Sequence, residues 1–430
     1  MKIVQIIPGV GDTFYCQNCM RDKEMVTELR SRGHDVVLAP MYLPVFSEGD
    51  DIGTAAPVFY GAVGVYLSQY FPGISSAPGW MKRLLDSRRF LGWIARKGGT
   101  TSAAGLEEMT LSVLRGENGG QKAELDRLVS WLIHDGKPDL VHLSNALLIG
   151  LAGRIRRELD VPVVCALQDE DSWVDSMEPG AGRRAWELIA EKSSDVAAFV
   201  PVSNYYSRLM QERLRLRPDK FHVVPIGINT KGYGEARFSA EQPTIGYLSK
   251  MTESLGLEVL IDAFIILKTN ERLKNLKLKL MGGQTPDDKR FLKHISRKLK
   301  EKNRLIDVEF CAGFDRDSRL EFLQSISVMS VPMPRPEAFG MFILEALASG
   351  VPVVQPKIGA FPELIETTGG GVCYEPNNVR ALVAALESLL LDPGRSAKLG
   401  RSGRQVVQDR FSVQCSADSM MEVYGKCMKG

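Results

Sequence analysis

The stretch RPEAFGMFILEALASGVPVV, residues 335–354, combines the pattern of a buried helix with two carboxylates. Ten of the eleven residues from Phe339 to Ser349 are apolar, small or glycine, and the eleventh is Glu345. We predict a helix from about Phe339 to Ser349, and a helix that is apolar nearly all round is normally buried. Gly350 is typical of a residue that ends a helix before a strand such as VPVV. A buried carboxylate needs a partner, because an unpaired buried charge costs several kcal/mol.

The second carboxylate, Glu337, follows the apolar strand SVMSVPM and a Pro-rich turn. It therefore lies at the carboxyl end of a strand and beside a helix N-terminus, whose free N–H groups suit anions. Because eight residues of helix rise about 12 Å, Glu337 and Glu345 match the two ends of an extended ligand with a negatively charged middle, such as a sugar nucleotide. The alternative is that Glu345 pairs with a nearby arginine or lysine and that Glu337 is a solvated turn residue. The residues alone leave both interpretations open.

Apolar strands alternate with helical segments along most of the chain. The strands KIVQIIP, HDVVLAP, PDLVHLSN, VPVVCAL and VAAFVPVS come first, and a second series runs from PTIGYLS to VPVVQP. Uninterrupted apolar strands separated by helices predict parallel sheets that are covered on both faces. We predict an α/β fold with two doubly wound, Rossmann-like domains that face each other across a cleft. The predicted domains are residues 1–230, with an aromatic insertion at about 45–120, and residues 231–411.

Composition excludes several classes of protein. The 430-residue chain has a net charge of +2 and a charged content of 25%, which do not indicate nucleic-acid binding. The N-terminal apolar run is too short for a secretory signal, and no window has the length and apolar character of a transmembrane helix. Seven cysteines without an export signal predict reduced thiols and a cytoplasmic protein. Cys16 and Cys19, in CQNC, have metal or redox spacing, but no second Cys/His pair stands near them, so plain thiols are favoured.

The residues resemble a known family. PEAFGMFILEALASGVPVV is similar to the glutamate–seven–glutamate signature of the family 4 retaining glycosyltransferases, and GAFPELIETTGGGVCYEPNN, LRSRGHDVVLAP and VVPIGIN resemble other segments of those enzymes. The resemblance implies the GT-B fold, with the donor on the C-terminal domain, the acceptor on the N-terminal domain and the helical segment 412–430 packing back on the latter. It also implies transfer with retention of configuration, no metal in the site and no cofactor, since the nucleotide-sugar is a substrate. The acceptor, a glycan, a lipid or a small molecule, is not specified.

The resemblance also implies roles for individual residues. Glu337 corresponds to the catalytic residue near the donor sugar, and Glu345 to the residue that binds the ribose hydroxyls. The backbone N–H groups of Phe339 and Gly340 are expected to face the sugar and the diphosphate. Gly11 is expected to let the first loop approach the phosphates closely.

The sequence departs from the family where two cations normally hold the diphosphate. In GYLSKMTESLG, Lys250 stands at the arginine position and Leu255 at the lysine position. Lys250 keeps a charge but loses the two-pronged guanidinium geometry. Loss of a cation from the leaving diphosphate typically costs about 10²–10³ in rate. The alternatives to a transferase are therefore a degenerate member that binds a nucleotide or a partner without turnover, or a sugar-nucleotide epimerase.

The N-terminal half departs from the family as well. Ser144 stands where many relatives have a histidine, and His142 is interpreted as a core histidine of its strand. Gln168 and Asp169 stand where relatives have His-Asp or His-Gly, and Asp169 is a candidate acceptor-side base. The acidic run DED that starts at Asp169 resembles the metal motif of the other large glycosyltransferase fold, but that fold lacks the signature above, so no metal site is predicted.

The segment 268–304 is strongly basic, with thirteen Lys/Arg against four Asp/Glu. One interpretation is a pair of solvated helix faces. The other is weak docking to an anionic membrane or a polyanion, which predicts a protein peripheral to the inner face of the membrane.

Overall fold

The computed structural model describes residues 1–8, 15–42, 106–234 and 241–429. Gly11 and the predicted insertion up to residue 105 lie outside the described residues. In chain order, the strands and helices are β1 (Lys2–Ile7), α1 (Gln17–Ser31), β2 (Asp35–Pro40), α2 (Glu107–Arg115), α3 (Lys122–Trp131), β3 (Leu140–Leu143), α4 (Ala152–Leu159), β4 (Val163–Leu167), α5 (Glu170–Val174), α6 (Pro179–Lys192), β5 (Ala198–Pro201), α7 (Asn204–Leu214), β6 (Thr244–Leu248), α8 (Leu257–Leu267), β7 (Lys277–Met281), α9 (Lys289–Glu301), β8 (Val308–Phe310), α10 (Arg316–Gln324), β9 (Val328–Met329), α11 (Met341–Ala348), β10 (Val353–Pro356), α12 (Phe361–Thr368), β11 (Gly371–Tyr374), α13 (Val379–Leu390), α14 (Pro393–Arg410) and α15 (Val413–Cys427).

The described residues within Met1–Asp12, Asn18–Pro225 and Ser416–Gly430 form one compact unit, called the first unit below. Its sheet has the strand order β2-β1-β3-β4-β5, and every pairing is parallel. Strands β3, β4 and β5 are buried at every residue, as expected for strands with helices on both faces. The order reverses between β1 and β3, the kind of position where doubly wound sheets bind ligands.

Helix α15 belongs to the core of the first unit. Its side chains Ala417, Met420, Val423 and Tyr424 pack in one cluster with apolar residues of β1, α1 and β2. Tyr424 is completely buried. Residues from opposite ends of the sequence thus complete a single hydrophobic core.

The described residues within Thr13–Gln17 and Ile226–Cys415 form the second unit. Its parallel sheet has the order β11-β10-β9-β6-β7-β8. Numbered within the unit, this is the 3-2-1-4-5-6 order of a dinucleotide-binding sheet. The order reverses between β6 and β9, where Ile245 is opposite Val328 and Gly246 is opposite Met329.

The predicted fold class is confirmed: the chain is an α/β protein with two doubly wound parallel sheets. Helix α11, from the stretch 335–354, is buried at all eight residues, as its apolar pattern predicts. It begins at Met341 rather than at the predicted Phe339, because Gly340 has a φ of +108° that interrupts the helix. None of the described helices has the length and apolar character needed to cross a membrane.

Candidate functional site

The carboxylate of Glu345 is completely buried and receives three hydrogen bonds within the second unit. Arg319 donates from Nε to Oε1 over 2.9 Å, and the Tyr233 hydroxyl donates to the same oxygen over 2.8 Å. The Tyr15 hydroxyl donates to Oε2. The structure thus gives Glu345 a protein cation as partner, which was one of the two interpretations of the sequence. Its role toward a ribose stays a prediction.

Glu345 and Arg319 form a buried ion pair, and the phenol of Tyr15 beside them is neutral. Burial lowers the pKa of Arg319, but the charge of Glu345 outweighs this effect and raises it above the ordinary arginine value. Burial first, and then the negative charge of Glu345, raise the pKa of Tyr15 well above that of an ordinary tyrosine. Arg319 also donates from Nη1 to the Phe314 carbonyl over 2.8 Å. Removing one partner of such a pair typically costs about 3–5 kcal/mol, so Arg319 fixes the carboxylate in place.

Glu337 lies after β9 and the Pro-rich turn, and its side chain is half-buried. Gln17 donates from Nε2 to Glu337 Oε1 over 3.4 Å. The Oε1 atom of the same Gln17 accepts the Met341 N–H, the first of helix α11, over 2.5 Å. One glutamine therefore contacts both the carboxylate and the helix N-terminus where the sequence predicts an anionic ligand.

Phe339 and Gly340 connect Glu337 to helix α11. A Cβ atom on Gly340 would lie 2.9 Å from Cε1 of Phe361, and the positive φ also excludes a larger residue. Phe339 is 3% exposed, and its ring centroid lies 6.5 Å from that of Phe411. Packing thus holds the backbone of these two residues in a fixed conformation.

Lys250 and Leu255 follow β6, on one side of the point where the strand order reverses. The Tyr247 hydroxyl bonds to both of their carbonyl groups, over 3.0 Å to Lys250 and 3.3 Å to Leu255. Lys250 is buried, and its Nζ lies 3.3 Å from Oδ2 of Asp288. Burial raises the pKa of Asp288, but hydrogen bonds from Thr285 outweigh this effect and bring it below the ordinary value. The retained cation is therefore held by a carboxylate, and the second position is apolar.

The loop after β6 touches the loop after β9. Gly256 has a φ of +76°, and a Cβ atom there would lie 2.0 Å from the Pro332 carbonyl oxygen. Only a glycine permits this approach. The structure therefore brings the segment with Lys250 and Leu255 against the turn that leads to Glu337.

In the first unit, Asp169 lies two residues after the end of β4 and has a φ of +57°. A positive φ is uncommon for a residue other than glycine. Asn18 donates from Nδ2 to Asp169 Oδ2 over 3.2 Å. Gln168 donates to the Ser144 carbonyl over 3.0 Å. Ser144 Oγ and Gln168 Oε1 are buried without a hydrogen-bond partner among the described residues, so polar groups collect where β3 and β4 end.

Glu170 is a buried carboxylate that sequence reasoning treated only as part of the acidic run DED. It is 1% exposed and accepts the Ala146 N–H over 2.9 Å, the Gln168 N–H over 2.8 Å and the Tyr206 hydroxyl over 2.7 Å. Burial raises the pKa of Glu170 to about 8, against the effect of these hydrogen bonds. It connects the loops after β3 and β4 to helix α7. No cluster of His, Cys, Asp and Glu suited to a metal ion occurs among the described residues.

Two family models match the chain. The model described as Glycosyl transferases group 1 matches residues 234–406, and the model described as Glycosyl transferase 4-like domain matches residues 23–227. Together the two models cover most of the chain, which belongs to the glycosyltransferases that carry both of these domains. The family predicted from the glutamate–seven–glutamate signature is thereby confirmed.

Relatives of this glycosyltransferase are named for glycosyl transfer. It is 26% identical over 306 residues to the MMP alpha-(1->4)-mannosyltransferase of Mycolicibacterium hassiacum, an alignment covering 68% of this chain and 72% of that protein. It is also 26% identical over 310 residues to a glycogen synthase of Mycobacterium tuberculosis, with coverage of 68% and 70%. The chain is therefore an enzyme of the glycosyltransferase class.

Solved structures share the fold of this glycosyltransferase. Sucrose-phosphate synthase from Thermosynechococcus elongatus superposes with a TM-score of 0.73 at 16% identity, covering 99% of each chain. Anabaena Alr3699/HepE in complex with UDP gives a TM-score of 0.69 at 15% identity, covering 99% of this chain and 100% of that one. These neighbours are GT-B glycosyltransferases, so the predicted GT-B type is confirmed.

The cysteines of the glycosyltransferase correct one prediction. Cys16 and Cys19, expected as plain thiols, are disulfide-bonded. The five other cysteines of the chain are free. In the sequence C-x-x-C the two sulfurs are three residues apart, and side chains at this spacing meet at the start of a helix. The C-x-x-C spacing was the sequence signal for this disulfide. The absence of a second Cys/His pair was an argument against a metal site and not against a disulfide.

Two groups of basic side chains in the segment 268–304 of the glycosyltransferase differ in their surroundings. Lys268 and Lys277 pair with Asp307 over 3.0 and 2.9 Å, so these lysines are structural. A second group lies on α9 or just beyond it and is exposed: Lys289, Arg290, Lys293, Arg297, Lys300 and Lys302. The solvated-face interpretation therefore does not fit Lys268 and Lys277, whereas the second group forms an exposed basic surface on α9.

Proposed function

We propose that this enzyme transfers a sugar from a nucleotide-diphosphate-sugar donor to an acceptor with retention of configuration, without a metal ion and without a cofactor. The observation that carries the proposal is the convergence of the loops after β6 and β9, where the strand order of the second unit reverses. Ligands of doubly wound sheets bind at such a point. A neighbour in the solved structures holds UDP, which supports a nucleotide-sugar as the donor.

The donor is assigned to residues 231–411. In this proposal Glu337 contacts the donor sugar, and the N–H groups of Phe339 and Gly340 face the sugar and the diphosphate. Glu345 accepts hydrogen bonds from the ribose hydroxyls. Lys250 supplies positive charge to the leaving diphosphate, and Gly11, outside the described residues, allows the first loop to approach it.

The acceptor is assigned to residues 1–230 together with 412–430. Asp169 is the proposed acceptor-side base. Its observed contact with Asn18 and the unpartnered polar atoms of Ser144 and Gln168 support a polar, hydroxyl-bearing acceptor. A glycan, a lipid headgroup or a small polyol has this chemistry.

The second candidate function is nucleotide binding without turnover, and Leu255 favours it. A sugar-nucleotide epimerase is the other alternative, because it uses the same donor but moves no sugar to an acceptor. Both alternatives keep the donor site of the second unit, so binding alone does not separate them from a transferase.

The test of the proposed function is loss of donor without acceptor. The protein is first screened by thermal shift against UDP-, GDP- and ADP-sugars, because a bound ligand stabilises the folded state. The stabilising donor is then incubated with wild type, with Glu337→Ala and with Glu321→Ala, an exposed carboxylate on α10 as control. A transferase hydrolyses the donor slowly, Glu337→Ala abolishes this, and Glu321→Ala leaves it unchanged. Donor that stays intact with every protein contradicts turnover, and a new sugar epimer in the product indicates the epimerase.

Leu255→Lys tests the missing cation in the same assay. If the leaving diphosphate lacks charge stabilisation, the added lysine raises the rate of donor loss, by up to about 10²-fold. An unchanged or lower rate shows that another group already supplies the charge.

A further inference from the structure

We infer that Tyr15 and Gln17 form hydrogen bonds with the donor-binding groups when no donor is bound, and that the donor binds by displacing these two side chains. The Tyr15 hydroxyl donates a hydrogen bond to Glu345. Gln17 donates one to Glu337 and accepts one from the N–H of Met341. These are the groups that the proposed function assigns to the ribose, the sugar and the diphosphate, so the inference rests on that proposal. All five residues belong to the second unit.

The two oxygens of Glu345 have different kinds of partner. Oε1 accepts hydrogen bonds from Arg319 and Tyr233, which both belong to the long segment Ile226–Cys415 of the second unit. Oε2 accepts from Tyr15, which comes from a separate short segment. A ligand hydroxyl can therefore replace Tyr15 on Oε2 while Arg319 and Tyr233 keep the carboxylate oriented through Oε1.

The side chains of Tyr15 and Gln17 offer the same kinds of hydrogen-bond donor and acceptor as the ligand that would displace them. The neutral Tyr15 hydroxyl donates to a carboxylate, as a ribose hydroxyl does. The Gln17 carboxamide offers an oxygen to the Met341 N–H and an amide N–H to Glu337. A phosphate oxygen and a sugar hydroxyl offer the same acceptor and donor. The segment thus satisfies each site group with a partner of the matching type.

Burial explains why the site needs such partners when it holds no donor. Glu345 is 0% exposed and Tyr15 is 4% exposed. A buried carboxylate oxygen left without a donor is unfavourable, so Tyr15 leaves only when another hydroxyl takes its place. The Tyr15 backbone N–H also bonds to the Gly282 carbonyl over 2.8 Å, and the Arg319 guanidinium lies 5.8 Å from the centroid of its ring. These contacts hold the phenol against the carboxylate.

Displacement lowers the apparent affinity for the donor. When only a fraction of the protein is in the binding-competent state, the apparent affinity for the ligand is reduced by that fraction. Removing the Tyr15 hydroxyl removes this effect, so the dissociation constant is expected to fall by about five- to thirtyfold, or about 1–2 kcal/mol.

The test compares two Tyr→Phe variants on the same carboxylate. UDP, GDP and ADP are each titrated by calorimetry into wild type, Tyr15→Phe and Tyr233→Phe. Tyr15→Phe is expected to bind the preferred diphosphate about five- to thirtyfold more tightly than wild type. Tyr233→Phe removes a partner that stays in place when the ligand is bound, so it is expected to bind more weakly. The opposite signs exclude a general loosening of the site.

The outcomes separate this inference from the proposed function. If wild type binds a nucleotide and Tyr15→Phe binds it equally or more weakly, the inference is overturned while the proposed function stands. If wild type and both variants bind none of the three nucleotides, the proposed function fails and the inference fails with it.

Hydrogen exchange gives a readout that does not depend on a mutation. Addition of the bound nucleotide to wild type is expected to speed exchange of the amides of residues 15–17, because the segment leaves, and to slow exchange in α11. Slower exchange at residues 15–17 would show that Tyr15 closes over the ligand, and it would overturn the inference.

Discussion

The buried residue His142 makes the stability of the first unit sensitive to pH. His142 is 2% exposed and contacts the Tyr424 hydroxyl through Nδ1, while Nε2 has no partner among the described residues. Burial, and then the positive charge of Arg21, lower its pKa from 6.5 to about 3. Between these values the unfolded chain binds more protons than the folded one. Acidification from about pH 7.5 to about pH 5 therefore removes about 2 kcal/mol of stability through this residue.

His142→Gln provides the measurement. The variant cannot titrate at this position, so its urea-unfolding free energy is expected to fall by about 2 kcal/mol less than that of wild type over the same pH interval. Other groups titrate equally in both proteins and cancel in the comparison. Equal losses in the two proteins would mean that His142 is protonated in the folded state.

Single residues also show where sequence reasoning stops. The apolar pattern predicts that Glu345 is buried and needs a partner, and Arg319 lies only 26 positions away. Tyr15 lies 330 positions away, and no periodicity connects it to the helix. The need for a partner is local information, whereas the identity of that partner depends on tertiary packing.

At the level of elements, α9 and the residues just beyond it offer a basic surface of the second unit. Six exposed Lys and Arg side chains lie between residues 289 and 302, and Ile306, just beyond, is 88% exposed. Clustered bases attract anionic lipid at about 1 kcal/mol for each residue near the surface. We therefore propose weak docking of this surface to an anionic membrane.

Lys293→Glu/Arg297→Glu tests the docking, with Arg395→Glu/Lys398→Glu on α14 as a matched double charge reversal. In sedimentation with phosphatidylserine vesicles, the α9 variant is expected to bind at least about tenfold more weakly, and the α14 variant is expected to match wild type. Binding of wild type is expected to fall with added salt. Docking through α9 is contradicted if wild type does not sediment with the vesicles in low salt, or if both variants lose binding equally.

Elements were more predictable than their exact ends. The sequence predicts the strands of the first unit and the buried helix of residues 335–354, because apolar runs mark them directly. It misplaces the start of α11 by two residues, since the φ of Gly340 depends on the contact with Phe361.

At the scale of the whole molecule, the order of the strands lies beyond what the sequence predicts. The pattern predicts two parallel sheets, but β6 and β9 become neighbours although two strands lie between them in sequence. That pairing creates the reversal beside which Lys250 and Glu337 lie. The residues of the candidate site were recognised from a motif, and their arrangement required the fold.

The thiol content of the whole chain tests the disulfide between Cys16 and Cys19. In denaturant without reductant, five thiols are expected to react with Ellman's reagent, and seven after reduction. The control, Cys16→Ser/Cys19→Ser, is expected to give five under both conditions. Seven reactive thiols in the unreduced wild type would show that Cys16 and Cys19 are plain thiols, as the composition predicts.

The packing of α15 reverses the usual order of folding during synthesis. Domains generally fold as units, N-terminal first, as they leave the ribosome. Here the core that contains β1 lacks Met420, Val423 and Tyr424 until α15 has been translated, whereas residues 226–415 precede it. The unit made first is therefore completed last. Until then the apolar surface that α15 covers stays exposed, and chaperones and proteases act on chains with such exposed surface.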